Sequence, residues 1–249
     1  MCITCGCEED HNLHDGGAGH HHHDGKQRIL VESNLLAKND RFARSNRERF
    51  AAHGIFVLNL VSSPGSGKTT LLERTLSDLR DRVRCAVIEG DQQTDNDAVR
   101  IAATGVPVKQ VNTGAGCHLD AHMVGHAAAD LPLQGLDLLF IENVGNLVCP
   151  ASFDLGEHHK VVMLSVTEGE DKPVKYPQMF RAAELMIITK SDLAPYVAFD
   201  AEACRSMALS VNPRMEILEL SASSGEGIDS WYRWLSAGIE RAKKGGGGR

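Results

Sequence analysis

Large apolar side chains are almost absent from the first 26 residues, where Ile3 and Leu13 are the exceptions, and the pattern changes at residue 27. A segment that poor in apolar area cannot offset its own ordering entropy, so residues 1–26 are expected to form a disordered tail. Residues 27–53, from Arg28-Ile-Leu-Val-Glu to Phe50, read as an amphipathic helix leading into the first core strand. Short apolar runs then recur near 55–61, 84–89, 107–111, 138–142, 160–166, 185–189 and 215–220, and most of the gaps between them carry helical patterns. That alternation predicts an α/β domain over 54–242: a mainly parallel seven-stranded sheet with helices on both faces. The closing Lys243-Lys-Gly-Gly-Gly-Gly-Arg249 reads as a second disordered tail, 243–249.

The first strand runs into Ser62-Ser-Pro-Gly-Ser-Gly-Lys-Thr-Thr70, and a helix beginning Leu71-Leu-Glu-Arg follows. A strand, a glycine-bearing loop and a helix in that order predict a P-loop fold. Gly65 and Gly67 let backbone N–H groups converge on phosphate oxygens, and the helix N-terminus adds its dipole. Residues Gly65, Ser66, Gly67, Lys68, Thr69 and Thr70 are therefore assigned to the nucleotide, Lys68 to its β- and γ-phosphates and Thr69 to Mg²⁺. Ser62 stands where the generic loop has its first glycine. The strand at 185–189 ends in Thr189-Lys-Ser-Asp192, close to the N-K-x-D element of GTPases. The Asp192 carboxylate can accept from guanine N1–H and N2–H₂ together, adenine has no such donor pair, and the Lys190 stem would cover the base. GTP and GDP are thus favoured over adenine nucleotides, with Thr189 departing from the usual Asn. Ser221 and Ala222, after the last strand, are expected to reach the base through their backbone.

Two further strands end in acids. Asp91 is assigned to Mg²⁺ and to the attacking water, and Glu142 to the neighbourhood of the metal; with Lys68 they form the expected catalytic set. Gly145 would present its N–H to the γ-phosphate. No arginine is marked by spacing for that phosphate, so slow intrinsic hydrolysis is expected.

Charge and cysteine usage narrow the partners. A formal net charge of −7 over 249 residues argues against nucleic acid and anionic membrane surfaces. No apolar run approaches the roughly 20 residues that span a bilayer, and no basic-then-apolar leader opens the chain, so a cytoplasmic location is expected. Seven cysteines in that setting are thiols or metal ligands. Cys2, Cys5 and Cys7, with the terminal amine, offer four donors suited to Ni²⁺, with tetrahedral Zn²⁺ as rival and uncommitted thiols as the plain alternative. His11, His14 and His20 to His23 would buffer divalent ions loosely; a cloning remnant is the other reading of the run of four. Cys117 and His118 sit side by side after a strand, and Cys149 lies seven residues beyond Glu142. Singly the two cysteines would read as core residues, and spacing leaves a second metal site open. The Cys149 segment follows the γ-phosphate contact, so its position should depend on the bound nucleotide. His122 and His126 read as solvated or packed, with a secondary metal role as alternative.

In order, Cys2-x-x-Cys5-x-Cys7, the histidine-rich stretch, Ser63-Pro-Gly-Ser-Gly-Lys-Thr-Thr70, Glu89-Gly-Asp-Gln-Gln93, Gly116-Cys-His118, Glu142-Asn-Val-Gly-Asn-Leu-Val-Cys149 and Thr189-Lys-Ser-Asp192 resemble the HypB family of hydrogenase nickel-incorporation GTPases. The resemblance spans essentially the whole chain, and Ser62 fits it. It implies a G domain that dimerises with nucleotide, a tight nickel site at Cys2, Cys5 and Cys7, and a second Ni²⁺/Zn²⁺ site at Cys117, His118 and Cys149 near the dimer interface. Implied partners are a HypA-type accessory protein and the precursor of the [NiFe]-hydrogenase large subunit. The alternatives are a nickel store with a regulatory G domain, or a related GTPase serving urease or a cobalamin-dependent mutase. The three-thiol N-terminus favours the hydrogenase branch.

Overall fold

The computed structural model describes residues 22–91, 96–114 and 116–246. Cys2, Cys5, Cys7 and the histidines before residue 22 lie outside the described residues. Helix α1 (His22–Ala52) precedes the core, beginning inside the predicted tail. Then come β1 (Phe56–Ser62), α2 (Lys68–Leu79), β2 (Cys85–Asp91), α3 (Asn96–Ala102), β3 (Val108–Asn112), α4 (Ala121–Ala129) and β4 (Leu138–Glu142). The second half comprises β5 (His159–Ser165), α5 (Lys172–Lys175), α6 (Pro177–Ala182), β6 (Leu185–Thr189), α7 (Ala201–Val211), β7 (Glu216–Glu219) and α8 (Ile228–Gly246).

The seven strands form one sheet in the order β3-β2-β4-β1-β5-β6-β7, and every pairing is parallel. Parallel strands need both faces covered, which is why β1 and β4 read as nearly unbroken apolar runs. Side chains alternate across β1. Phe56, Leu58 and Leu60 face a core built with Leu72 and Leu76 of α2 and Trp231 and Leu235 of α8. Val57 faces the other side, where Phe50 of α1 and Val124 of α4 complete a second core. Asn59 breaks that apolar face while remaining fully buried. β1 lies between β4 and β5, so the chain reverses direction of growth beside the strand that carries the phosphate loop, where ligands of open α/β sheets bind.

Helix α1 joins the domain through buried Ala43 and Phe50 and through two buried asparagines. Asn39 donates to the Asp154 carbonyl (2.8 Å) and accepts from the Ala121 N–H (2.9 Å). Asn46 donates to the carbonyls of Ala121 (2.7 Å) and Leu155 (3.0 Å). At the other end, α8 continues through Gly246, correcting the expected break at residue 243. Lys243 pairs with Asp137 at 2.7 Å.

Gly238 of α8 lies against the Phe56 ring: a Cβ there would collide with ring carbons. Alanine gains about 1 kcal/mol of helix propensity, whereas overpacking a core costs about 1–3 kcal/mol. Gly238→Ala is therefore expected to lower the denaturant midpoint with an unchanged slope; a rise in the midpoint would contradict this contact.

Candidate functional site

The phosphate loop leaves β1 at Ser62 and turns on Gly65 (φ 75°) and Gly67 (φ 90°), both in the left-handed region that favours glycine. An open cavity of ≈ 470 Å³ lies over it, lined by loop residues and by Asp97, Arg100, Val144, Gly145 and Lys190. Lys68 Nζ lies 3.0 Å from Glu142 Oε1, and Thr69 Oγ1 donates to the same oxygen at 2.6 Å. Three of the expected residues thus meet at one carboxylate. Asp91 closes β2, which is separated from β1 by β4. Arg100 is the arginine that spacing did not mark: it lines the cavity, is gripped by Glu73 (2.6 Å) and reaches Thr70 Oγ1 at 3.4 Å.

Glu89 was also missed as a site residue. Register places it beside Glu142 on the adjoining strand. Burial pushes its carboxyl up to about 8, and the charges of Glu142 and Asp91 push the same way. Among the described residues, Glu89 Oε2 and Glu142 Oε2 have no hydrogen-bond partner. Unpartnered buried carboxylate oxygens beside a phosphate loop are the donors a hard divalent cation prefers.

The loop expected to meet the base is equally local. Thr189 Oγ1 donates to the Ser66 carbonyl at 2.6 Å, tying this loop to the phosphate loop despite the absence of Asn. Lys190 takes a left-handed conformation (φ 58°) and donates to the Gly65 carbonyl at 2.7 Å. A non-glycine residue held there persists only where its surroundings over-determine it. Thr189, Lys190, Asp192, Ser221 and Ala222 line one pocket of ≈ 120 Å³. Ser221 is held in a turn, its carbonyl accepting from Gly225 N–H at 2.9 Å.

The third constellation gathers Cys117, His118 and Cys149, whose ligand atoms all lie within 4.8 Å of one another. Cys117 Sγ and His118 Nδ1 are 3.6 Å apart. Cys149 opens a 3-10 turn, Cys149–Ser152, in which it is buried. Burial lowers the His118 pKa, and Lys160 adds to the lowering while Asp120 opposes it. Its ring packs on Phe153, with centroids 4.0 Å apart.

The stretch from Glu142 to Cys149 physically joins the two sites. A Cβ on Gly145 would stand 3.1 Å from Pro64, so glycine lets this stretch lie against the phosphate loop. Asn143 Oδ1 accepts from the N–H groups of Leu119 (3.1 Å) and Val144 (3.0 Å). Asn146 donates to the Cys117 carbonyl at 3.3 Å. Behind it, Lys160 is a buried cation whose Nζ donates to the carbonyls of Pro150 (2.8 Å), Phe153 (3.1 Å) and Ala151 (3.4 Å). Its partner Glu157, at 3.9 Å, accepts from Asn59 (3.1 Å) and from Leu155 N–H (2.6 Å). Burial lowers the Lys160 pKa and raises that of Glu157. Only the polar residues inside otherwise apolar strands, Asn59 and Lys160, hinted at this network in the sequence.

A parallel sheet with a phosphate loop after its central strand and an acid-bearing base loop two strands away defines a P-loop nucleotide-binding protein with the GTPase fold. Residues 56–219 match the family described as CobW/HypB/UreG, nucleotide-binding domain. The hydrogenase maturation factor HypB of Escherichia coli (strain K12) is 63% identical over 231 residues, covering 91% of this chain and 80% of the relative. The crystal structure of the hydrogenase maturation factor HypB from Archaeoglobus fulgidus superposes with a TM-score of 0.77 at 41% identity, covering 82% of this chain and 99% of that one. HypB from Helicobacter pylori, solved in complex with nickel, gives a TM-score of 0.78 at 40% identity, covering 82% and 96%. The chain belongs to the HypB family of hydrogenase maturation factors.

Replacing Lys160 with Met would strand Glu157 and release three carbonyls around the Cys149 turn. Breaking a buried pair from one side costs about 3–5 kcal/mol. Lys160→Met is expected to lose stability on that scale. It should also weaken Ni²⁺ or Zn²⁺ binding about tenfold, as loss of outer-shell partners does, in a chain whose Cys2, Cys5 and Cys7 are Ala. Unchanged metal affinity would mean that Lys160 does not position Cys149.

Proposed function

We propose that this protein hydrolyses GTP to control a metal site, and that it delivers Ni²⁺ to the precursor of the [NiFe]-hydrogenase large subunit. The observation that carries the reading is the hydrogen-bonded stretch from Glu142 to Cys149. One end of it touches the phosphate loop and the other bears a thiol of the metal cluster.

In this reading, backbone N–H groups of Gly65 to Thr70 bind the phosphates, and Asp192 reads guanine with Lys190 packed over the base. Lys68 leaves Glu142 for the β- and γ-phosphates when nucleotide enters, and Gly145 N–H meets the γ-phosphate. Asp91 orients the attacking water. Mg²⁺ would be held by Thr69 and Asp91, where it would neutralise charge on the phosphate oxygens; the unpartnered oxygens of Glu89 and Glu142 fit a cation beside them. Arg100 stands where it could meet the γ-phosphate once Glu73 releases it.

Nickel is the cargo. Cys2, Cys5 and Cys7 would hold it tightly, and Cys117, His118 and Cys149 would hold Ni²⁺ or Zn²⁺ with an affinity set by the nucleotide. The nickel complex of the Helicobacter pylori relative supports this choice of metal. GTP would favour a homodimer, and a HypA-type accessory protein would be the partner in transfer. Its site of action would be the cytoplasm, where thiols stay reduced.

Linkage requires that nucleotide change metal affinity if metal changes nucleotide affinity. With Cys2, Cys5 and Cys7 replaced by Ala, Ni²⁺ dissociation constants of the GDP and GTP forms should differ by about fivefold or more, the scale of ordinary allosteric coupling. Equal constants would sink the coupling. Base reading has its own check. Asp192→Asn swaps one acceptor oxygen for a donor, so GTP affinity should fall by about a hundredfold. Xanthosine triphosphate, with a carbonyl in place of the 2-amino group, should bind better than GTP. Unaltered GTP affinity would remove Asp192 from the base site.

A further inference from the structure

The loop after β7 holds most of its own shape. Ser221 N–H donates to the Glu226 carbonyl at 2.9 Å, and Gly225 N–H donates back to the Ser221 carbonyl at 2.9 Å. Ser224 N–H adds a bond to Ser221 Oγ at 3.1 Å. These bonds leave out the Ala222 carbonyl, which accepts instead from Arg74 Nη1 of α2 at 3.3 Å. The same guanidinium lies over Gly225, where a Cβ would stand 3.4 Å from Nη2. Arg74 thus reaches out of the helix that begins at Lys68 and grips the loop expected to meet the base.

The aim of that guanidinium is itself fixed. Arg74 Nε donates to Asp78 Oδ2, one turn further along α2, at 2.7 Å. The same oxygen accepts from the Tyr232 hydroxyl of α8, also at 2.7 Å. Burial works against the Asp78 charge, but the bonds from Arg74 and Tyr232 win, and its pKa is lowered. Burial and the Asp78 carboxylate push the Tyr232 phenol up, so its hydroxyl keeps the proton it donates. Beneath them, Trp231 Nε1 donates to Thr75 Oγ1 at 2.9 Å and locks α8 to α2. Stability does not explain the arrangement. The Arg74 and Asp78 side chains are 37% and 33% exposed, beside an open groove of ≈ 870 Å³. Pairs that open to water contribute only about 0–1 kcal/mol. Orientation of the loop is the use that remains.

We propose that Arg74, held by Asp78 and Tyr232, is a positioning residue that sets the loop after β7 to recognise the 6-oxygen of a purine. The C=O and N–H of a trans peptide point opposite ways. Holding the Ala222 carbonyl therefore fixes the direction of the Ser223 N–H, and Ser223 lines the same pocket as Ser221, Ala222 and Asp192. Guanine carries an acceptor oxygen at position 6, where adenine carries an amino donor. Backbone N–H groups held in place favour the first and oppose the second. The labour is then divided: Asp192 reads positions 1 and 2, and the loop that Arg74 holds reads position 6. This inference rests on the reading of that pocket as the base site.

Binding of GTP, inosine triphosphate and ATP to the full chain, with steady-state GTP hydrolysis alongside, tests this. Inosine triphosphate keeps the 6-oxygen and lacks the 2-amino group. Arg74→Met is expected to weaken GTP and inosine triphosphate alike by about tenfold, the scale of one charge-assisted hydrogen bond. ATP binding should stay within about twofold, so the preference for a 6-oxo base shrinks. In hydrolysis, KM for GTP should rise about tenfold while kcat stays within about twofold, as expected when ground-state binding alone is lost. Tyr232→Phe, which removes only the far grip on Asp78, should shift the same ratios by about threefold, and it keeps the test open if Arg74→Met folds poorly. Unchanged GTP affinity in both variants would overturn the inference. Equal weakening of all three nucleotides would overturn it too, since Arg74 would then serve the fold and not the base. Asp192→Asn in the same series separates the two readings. If it alters base preference and the Arg74 and Tyr232 variants do not, only the role of Arg74 fails. If it leaves base preference unaltered, the base site is misplaced and this inference falls with it.

Discussion

One oxygen organises the chemistry of this domain. Glu142 Oε1 takes hydrogen bonds from both Lys68 and Thr69, so the tip of β4 is latched to the start of α2 across the phosphate loop. Everything downstream on the way to Cys149 starts from that latch. Asn143, the next residue, bonds to Asn59 inside the sheet and to the backbone before α4. A nucleotide that recruits Lys68 must break one charge-assisted hydrogen bond, and such bonds are worth about 1.5–3 kcal/mol. Allosteric coupling between sites is typically about 1–3 kcal/mol. A single contact of this kind is therefore large enough to carry the proposed communication, and no long chain of intermediates is needed.

The rest of the structure supplies a frame against which such a change can register. Helix α1 holds both arms of the cysteine cluster: Asn46 bonds to Ala121, just after His118, and to Leu155, beyond the Cys149 turn. Arg47 reinforces the second arm by a forked pair with Asp154, at 2.7 and 2.8 Å. Lys160 fastens the turn from beneath through three carbonyls. The network is costly, because a buried ammonium and a buried carboxyl must both be desolvated. Apolar residues would fill that space with less penalty. What they could not do is fix the direction of the Cys149 turn, and that supplies a physical reason for placing polar groups there.

Much of the frame was legible in the sequence because its determinants are local. All seven strands fall within a residue or two of the apolar runs, since strands buried on both faces leave no polar alternation to confuse the reading. The phosphate loop and Thr189-Lys-Ser-Asp192 could be read for the same reason: each is a contiguous segment with a fixed place after a strand. What could not be read depends on register between strands. Glu89 gains its meaning from standing opposite Glu142, and Asn59 from facing Glu157 and Asn143, and neither pairing exists in one dimension. Arg100 belongs to the phosphate cavity only because α3 brings it back over the loop. Helix α1 was legible as a helix, but the asparagines that help seat it on the domain leave no mark in an apolar pattern. The glycines after Lys243 announced a tail, whereas the helix runs on to Gly246.

The dimensions of the cysteine cluster bear on how a small movement could matter. Two thiolates sharing a tetrahedral ion with bonds near 2.3 Å sit about 3.8 Å apart, and a thiolate and an imidazole sit closer still. The donor atoms of Cys117, His118 and Cys149 fall within 4.8 Å of one another. Closing the widest separation to bonding geometry thus asks for a displacement on the order of 1 Å. The Cys117–His118 half is tied to Asn143 and Asn146, and the Cys149 half is tied to Lys160. A rearrangement of residues 142–149 would act on both halves, because the stretch carries Cys149 and the Asn143 and Asn146 contacts to the Cys117–His118 side. An affinity set by ångström-scale spacing between two halves is one that a change at Glu142 can tune, whereas a cluster built on a single loop would be deaf to the nucleotide.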